Sequence, residues 1–498
     1  MENQEIQKKT NRWRFRWLVW LLASPFILFV LLCVLLYLPP VQKFVVDKVT
    51  SIASESTGLN ISVGRINLSF PLDLIVRDVQ AINPEKGDTL LDLKRLDVSI
   101  QMLPLIRKEV EIDGVSLKGA EIHTDDFIEG IIIDGSLGEL FLESHNVVFD
   151  PGKAVLNEFL LKDADFYVCL NDTTETRDTT TNDTLYWKFD IRKIVLDNVK
   201  LKLDMPRDSL SLMASLEKSE MRGGYIDLHE ESYALQSFSI DEGAFMAEKM
   251  LDVRGIDCQM DSLYYNGRNI RAIVSRFDFH EQMSGFDLLS TYAKVLSDQQ
   301  QICIPQFNMK TASSAITMNA SADWNIFEMN PSAAISLSLN AGLGKRDIAI
   351  MTGTLLDSTF IRHYPDAPLQ IKTDMSGRLN RMNIRKLSAT LSDALDVQVK
   401  GEFVHLMDSI RRKGNLDLLA KANDLTFLPT MTGGYAVPEG TRLHGNVHLD
   451  GSNVDVQMAL SNVDTLMVID TLVTFEAKYN IQNDAYLWQV RFFRKPLK

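Results

Sequence analysis

The sequence predicts a mostly β protein: a single N-terminal transmembrane helix, a short amphipathic helix, and then an elongated antiparallel β-sheet. Three observations predict it. An uncharged run of 22 residues lies near the N-terminus, the hydrophobic period changes from about 3.6 to 2 near residue 59, and turn dipeptides punctuate the alternating runs that follow.

Residues 1–16 form a basic segment, with Lys8, Lys9, Arg12, Arg14 and Arg16 against Glu2 and Glu5. The whole chain carries 66 acidic and 52 basic residues, a formal charge of −14, so a basic head precedes an acidic body. The segment 17–38 contains no charge, and at about 1.5 Å per residue a helix of that length crosses the roughly 30 Å hydrocarbon layer. Trp17 and Trp20 at its basic end and Tyr37 at the other suit the membrane interface, and Phe26 and Phe29 suit its interior. The basic residues place the N-terminus in the cytoplasm by the positive-inside rule. The run is longer than a signal-peptide h-region and ends in Leu38-Pro39-Pro40, so an uncleaved anchor is expected, with the bulk of the chain on the far side.

In residues 41–57, Val41, Phe44, Val45, Lys48, Val49 and Ile52 recur at spacings of three and four, which predicts an amphipathic helix stopping near Gly58. Such a helix either lies on the bilayer or caps the end of the next domain. From residue 59 the period is 2. Leu96, Val98 and Ile100 alternate with polar residues, as do Ile335, Leu337 and Leu339, then Val454, Val456 and Met458. Ile316 to Trp324 and Val473 to Ile481 repeat the pattern, and Phe286–Val295, which fits helix or strand, is read as strand. Turns are expected at Asp113-Gly114, Asp134-Gly135, Pro151-Gly152, Asn266-Gly267 and Asp450-Gly451. The β region divides at residues 171–183, an apolar-poor loop, into 59–170 and 184–498. Three phrases around Asp113, Asp163 and Asp197 echo one another without a fixed period.

The order of parts in residues 17–126 resembles the N-terminus of the AsmA-like family, most closely its TamB-type (translocation and assembly module) members. The resemblance rests on the anchor, then VQKFVVDKVTSIASESTGLNISVGRINLSF, LIVRDVQAINP at Leu74, LLDLKRLDVSI at Leu90 and VEIDGVSLKGAEIHTD at Val110. Residues 127–498 are similar in style alone.

An apolar face this long requires cover, and a sandwich, a closed barrel and an open groove filled by something apolar all supply it. The resemblance implies the third, a sheet curled into an open apolar groove that accepts acyl chains. On that reading Leu96, Val98, Ile100, Ile335, Leu337, Leu339, Val454, Val456 and Met458 line the groove; in a sandwich the same residues form the core. The function then expected is phospholipid transport between inner and outer membranes by an inner-membrane-anchored periplasmic protein. Its partners are a phospholipid or similar amphiphile, the inner membrane, and an outer-membrane assembly protein. The alternatives are assistance in outer-membrane protein assembly and an anchored structural β module.

No catalytic, cofactor or metal residues are expected. The chain has neither a Walker loop nor G-x-G-x-x-G. Its four cysteines include no C-x-x-C, and Ser215-x-x-Lys218 lacks the companion motifs of a serine hydrolase. His444 and His448 fall about 13 Å apart on a strand, too far to share a metal. An acidic chain is also a poor nucleic-acid binder.

Overall fold

The computed structural model describes residues 38–69, 73–100, 112–124, 127, 130–148, 152–171, 187–353, 362–405, 408, 410–424, 427, 439–451, 453–462, 471–480 and 485–494. The basic segment, the anchor residues Trp17, Trp20, Phe26, Phe29 and Tyr37, and most of the 171–183 loop lie outside them. Among the described residues no helix is long and apolar enough to cross a membrane.

The protein is mostly β and antiparallel, and it divides into two units: residues 1–182 with 191–215, and residues 183–190 with 216–498. The first unit opens with helix α1 (Pro39–Thr57). Proline suits the first turn, where no amide hydrogen is needed, and Gly58 ends the helix in the left-handed region at φ 72°, its N–H donating to Ser54 O. Ser54 Oγ in turn accepts from Ile61 N at 3.0 Å, tying α1 to the first strand, while Phe44 of the expected apolar stripe is 71% exposed.

Strands β1 (Asn60–Ser69), β2 (Asp73–Ile82), β3 (Thr89–Ile100), β4 (Ile112–His123), β5 (Ile131–Val148) and β6 (Lys153–Leu170) follow, each antiparallel to the one before. β7 (Lys188–Met205) lies beside β6, with Asn198 Nδ2 donating to Asp163 Oδ1 at 2.8 Å and Lys162 Nζ 3.6 Å from Asp197.

β8 (Leu210–Asp227) belongs to the second unit from residue 216 onward, and it reaches β11 (Leu251–Asn266) through the short β9 (Ser232–Leu235) and through β10 (Ser237–Ala247). The sheet then runs as a meander through β12 (Asn269–Glu281), β13 (Phe286–Ser297), β14 (Gln301–Thr311), β15 (Ala315–Asp323) and β16 (Ala334–Leu343). Helix α2 (Lys345–Thr352) interrupts it before β17 (Leu369–Arg378), β18 (Arg381–Leu391), β19 (Leu395–Val404), β20 (Lys413–Ala422), β21 (Thr441–Asp450), β22 (Asn453–Asn462), β23 (Thr471–Asn480) and β24 (Ala485–Arg494). Phe286–Val295 falls within β13, as strand.

Several expectations are corrected. Asn266-Gly267 and Asp450-Gly451 do begin tight hairpins, and Gly152 precedes β6. Asp113-Gly114 and Asp134-Gly135 instead lie inside β4 and β5. Gly135 is there for contact rather than for turning: a Cβ on it would stand 2.4 Å from the Phe166 ring of the paired strand and 2.8 Å from Asp165 O. Trp324 leaves the strand pattern and starts a 3-10 turn, where its indole N–H donates to Ser297 Oγ and Asp298 O.

Candidate functional site: two half-buried apolar faces

Directly paired residues of an antiparallel sheet share a face, so the register assigns each strand residue to one side. In the second unit Leu337 stands opposite Ala320 of β15 and Met375 of β17. The same row continues through Ile384, Gly401, Leu416 and Val447 to Val456 of β22. Flanking rows run from Ile335 to Val454 and from Leu339 to Met458 through the same pairings. Residues more than a hundred positions apart in sequence thus form three parallel apolar rows on one face. One break in alternation preserves this face: the β17–β18 register shifts after Asp374, so Ile384 and Leu387, three apart, both stay on the apolar side while Arg385 and Lys386 between them are exposed.

The opposite face is polar. Arg385 pairs with Asp374 at 2.6 Å, Arg381 with Glu402 at 3.2 Å, and His444 with Asp417 at 2.9 Å. His444 and His448 therefore sit on a charged strand face, and no group of metal-ligating side chains occurs among the described residues.

Burial on the apolar face is graded. At one margin Leu391 and Ala394 are each 2% exposed, packed with Tyr364 and Phe427, whose rings meet edge-on at 5.6 Å. Ile348 of α2 packs against the same cluster. Asp347 anchors that helix: its buried carboxylate accepts hydrogen bonds from Thr311 Oγ1 and Ser314 Oγ. Burial alone would raise its pKa, but the hydroxyls of Ser314 and Thr311 outweigh that and hold it below the usual carboxylate value. Away from this margin, Ile335, Leu337, Leu339, Val454, Val456 and Met458 are only half-buried. A filled sandwich core would bury them as fully as Leu391.

In the first unit Leu96 and Val98 are also half-buried; Ile100 ends β3, and its side chain lies outside the described residues. Leu96 pairs with Val76 and Leu117, and the row extends through Leu140 to Leu161. A second apolar row, Val79, Leu93, Ala120, Leu137 and Ala164, lies three residues away along every strand, an odd spacing that simple alternation forbids. Between the rows, Asp78 of β2, Gly119 of β4 and Asp163 of β6 lie in the left-handed region, as does Asn198 of β7 beside β6, with φ of 54°, 65°, 51° and 54°. Each such residue resets the alternation, and Asp, Asn and Gly are the residue types that tolerate it. Leu93, Ala120, Leu137 and Ala164 consequently form the buried cluster of this unit, with Leu96, Leu117, Leu140 and Leu161 packed beside it.

The echo among Asp113, Asp163 and Asp197 is therefore corrected. The shared element is Val76-Arg77-Asp78-Val79, Leu117-Lys118-Gly119-Ala120, Leu161-Lys162-Asp163-Ala164 and Leu196-Asp197-Asn198-Val199, apolar residues three apart around one left-handed residue. The apolar spacing of three, rather than a shared aspartate, is the sequence signal of this element. Comparison of the chain with protein families and with curated proteins finds no match.

Proposed function

We propose that the chain shelters the acyl tails of a phospholipid or similar amphiphile on its apolar faces. Anchored in the inner membrane through residues 17–38, it would assist phospholipid transport to the outer membrane, as the resemblance to the AsmA-like family implies. The observation that carries this reading is the set of three apolar rows across β16 to β22, half-buried and backed by a charged opposite face. Each acyl CH₂ moved into water costs about 0.8 kcal/mol, so a lipid tail crosses an aqueous gap slowly without apolar contact. A face of Ile, Leu, Val and Met side chains lowers that barrier with little selectivity among tails, and the work needs no catalytic group.

The test is native mass spectrometry with lipid extraction on a chain lacking residues 1–38, purified without detergent. Phospholipid in at least stoichiometric amount is expected. A folded, ligand-free chain refutes the proposal, and copurified peptide in place of lipid points to protein assembly.

A further inference from the structure

The polar face of the second unit is not uniformly knitted together. A cavity of about 740 Å³ opens where β11, β12, β13 and β14 meet. Bulges shape it: the β11–β12 register shifts near Met260–Ser262, and the β13–β14 register shifts between Lys294 and Leu296. Bulges bend a sheet and re-aim its side chains, which is how a strand face gains a concavity.

Tyr264, Arg271, Leu296 and Cys303 stand directly opposite one another across the four strands and line the cavity. These four alternate with the adjacent row Ile270, Ser297, Ile302 and Ala322, which leads to Ile335 and whose Ile270 and Ser297 also border the cavity. Arg271 is the one cation among the lining residues. It makes no ion pair or hydrogen bond with the described residues, whereas its neighbour on the same strand, Arg276, pairs with Asp257 and Asp278 at 2.7 and 2.6 Å. The side chains of Tyr264, Ser262 and Asn269, also in the lining, are likewise uncommitted among the described residues. The single carboxylate present, Asp298, is engaged: its Oδ1 accepts the N–H groups of Gln300 and Gln301 at 2.8 and 2.9 Å.

We infer that this cavity is a binding site for a small organic oxyanion, held by Arg271 and resting its apolar body on Tyr264 and Leu296. The guanidinium fork matches a phosphate or carboxylate, Tyr264 is 41% exposed and offers a ring face, and the volume lies within the range of small-molecule sites. This site contains none of the residues of the three rows across β16 to β22 and does not rest on the proposed function.

The test titrates the full-length chain calorimetrically with phenyl phosphate, benzoate, inorganic phosphate and benzyl alcohol, and follows alkylation of the free Cys303 thiol. Saturable binding of phenyl phosphate or benzoate, with slower Cys303 alkylation, is expected, and the tighter of the two identifies the oxyanion. Arg271→Gln should weaken binding by at least about tenfold and abolish the protection, and Arg271→Lys should restore part of both. The exposed Arg271 leaves folding intact on substitution, which thermal unfolding of the variants checks. Failure of both anions to bind, equal affinity for benzyl alcohol, or undiminished binding by Arg271→Gln overturns the site. Inorganic phosphate binding as tightly as phenyl phosphate overturns the role given to Tyr264 and Leu296.

Discussion

Leu337→Asp probes the apolar face at its middle row. Leu337 is half-buried and faces Ala320 and Met375 directly, so a carboxylate there lies within about 5 Å of two apolar neighbours. If an acyl chain crosses this row with about three CH₂ groups over the Leu337 position, loss of that contact costs about 2.4 kcal/mol, close to a 50-fold weaker hold. The assay is the amount of copurified phospholipid per chain, measured beside thermal unfolding. Half-burial lets the new charge reach water, so the chain should still fold. The matched control is Asn340→Asp, on the exposed side of β16 and opposite Lys372, where a negative charge meets a positive partner. Full lipid loading in a normally folded Leu337→Asp chain would refute the assignment of that face; equal loss in both variants would show that added charge, not position, is responsible.

Two further outcomes follow from particular residues. Gly119→Val places a β-branched side chain at φ 65°, with its Cβ 2.8 Å from Lys94 Cδ, and should cost about 2 kcal/mol, read as about 30-fold faster hydrogen exchange in β3 to β6. Unchanged exchange would show that the left-handed residues do not hold the buried row in place. Glu281 is buried, and the Ser284 hydroxyl together with the N–H groups of Ser284, Met283 and Asp252 lowers its pKa from 4.5 to about 2. A depressed carboxylate pKa stabilises the fold fully above the unfolded value and loses that contribution as pH falls from about 4.5 towards 2. Glu281→Gln should therefore lower the unfolding temperature at neutral pH and flatten its decline over that acid window; parallel wild-type and variant pH profiles would contradict the assignment.

The amino-acid sequence determined the class of structure. Period-2 alternation around Leu96, Leu337 and Val456 encodes strand because successive side chains point to opposite faces, and that is a local property. Gly58 likewise marked the end of α1 because only the residue at that position must turn left-handed. Tight hairpins at Asn266-Gly267 and Asp450-Gly451 were legible for the same reason.

Tertiary structure alone decided what each apolar residue faces. Nothing local links Ile335 to Val454 or Leu337 to Val456, since those relations pass through five intervening strands whose registers are set by pairing. The Asp-Gly steps at 113 and 134 have the composition of turns, yet strand pairing overrides it, and Gly135 instead makes room for Phe166. The left-handed residues at 78, 119, 163 and 198 became one feature only when pairing brought their strands into register. Arg271 gained its meaning the same way: a charge on a strand is ordinary until bulges in β11 and at β13–β14 open a cavity around it and no carboxylate among the described residues pairs with it. Burial and partnership are properties of neighbours brought together from distant sequence, and alternation within one strand carries no information about them.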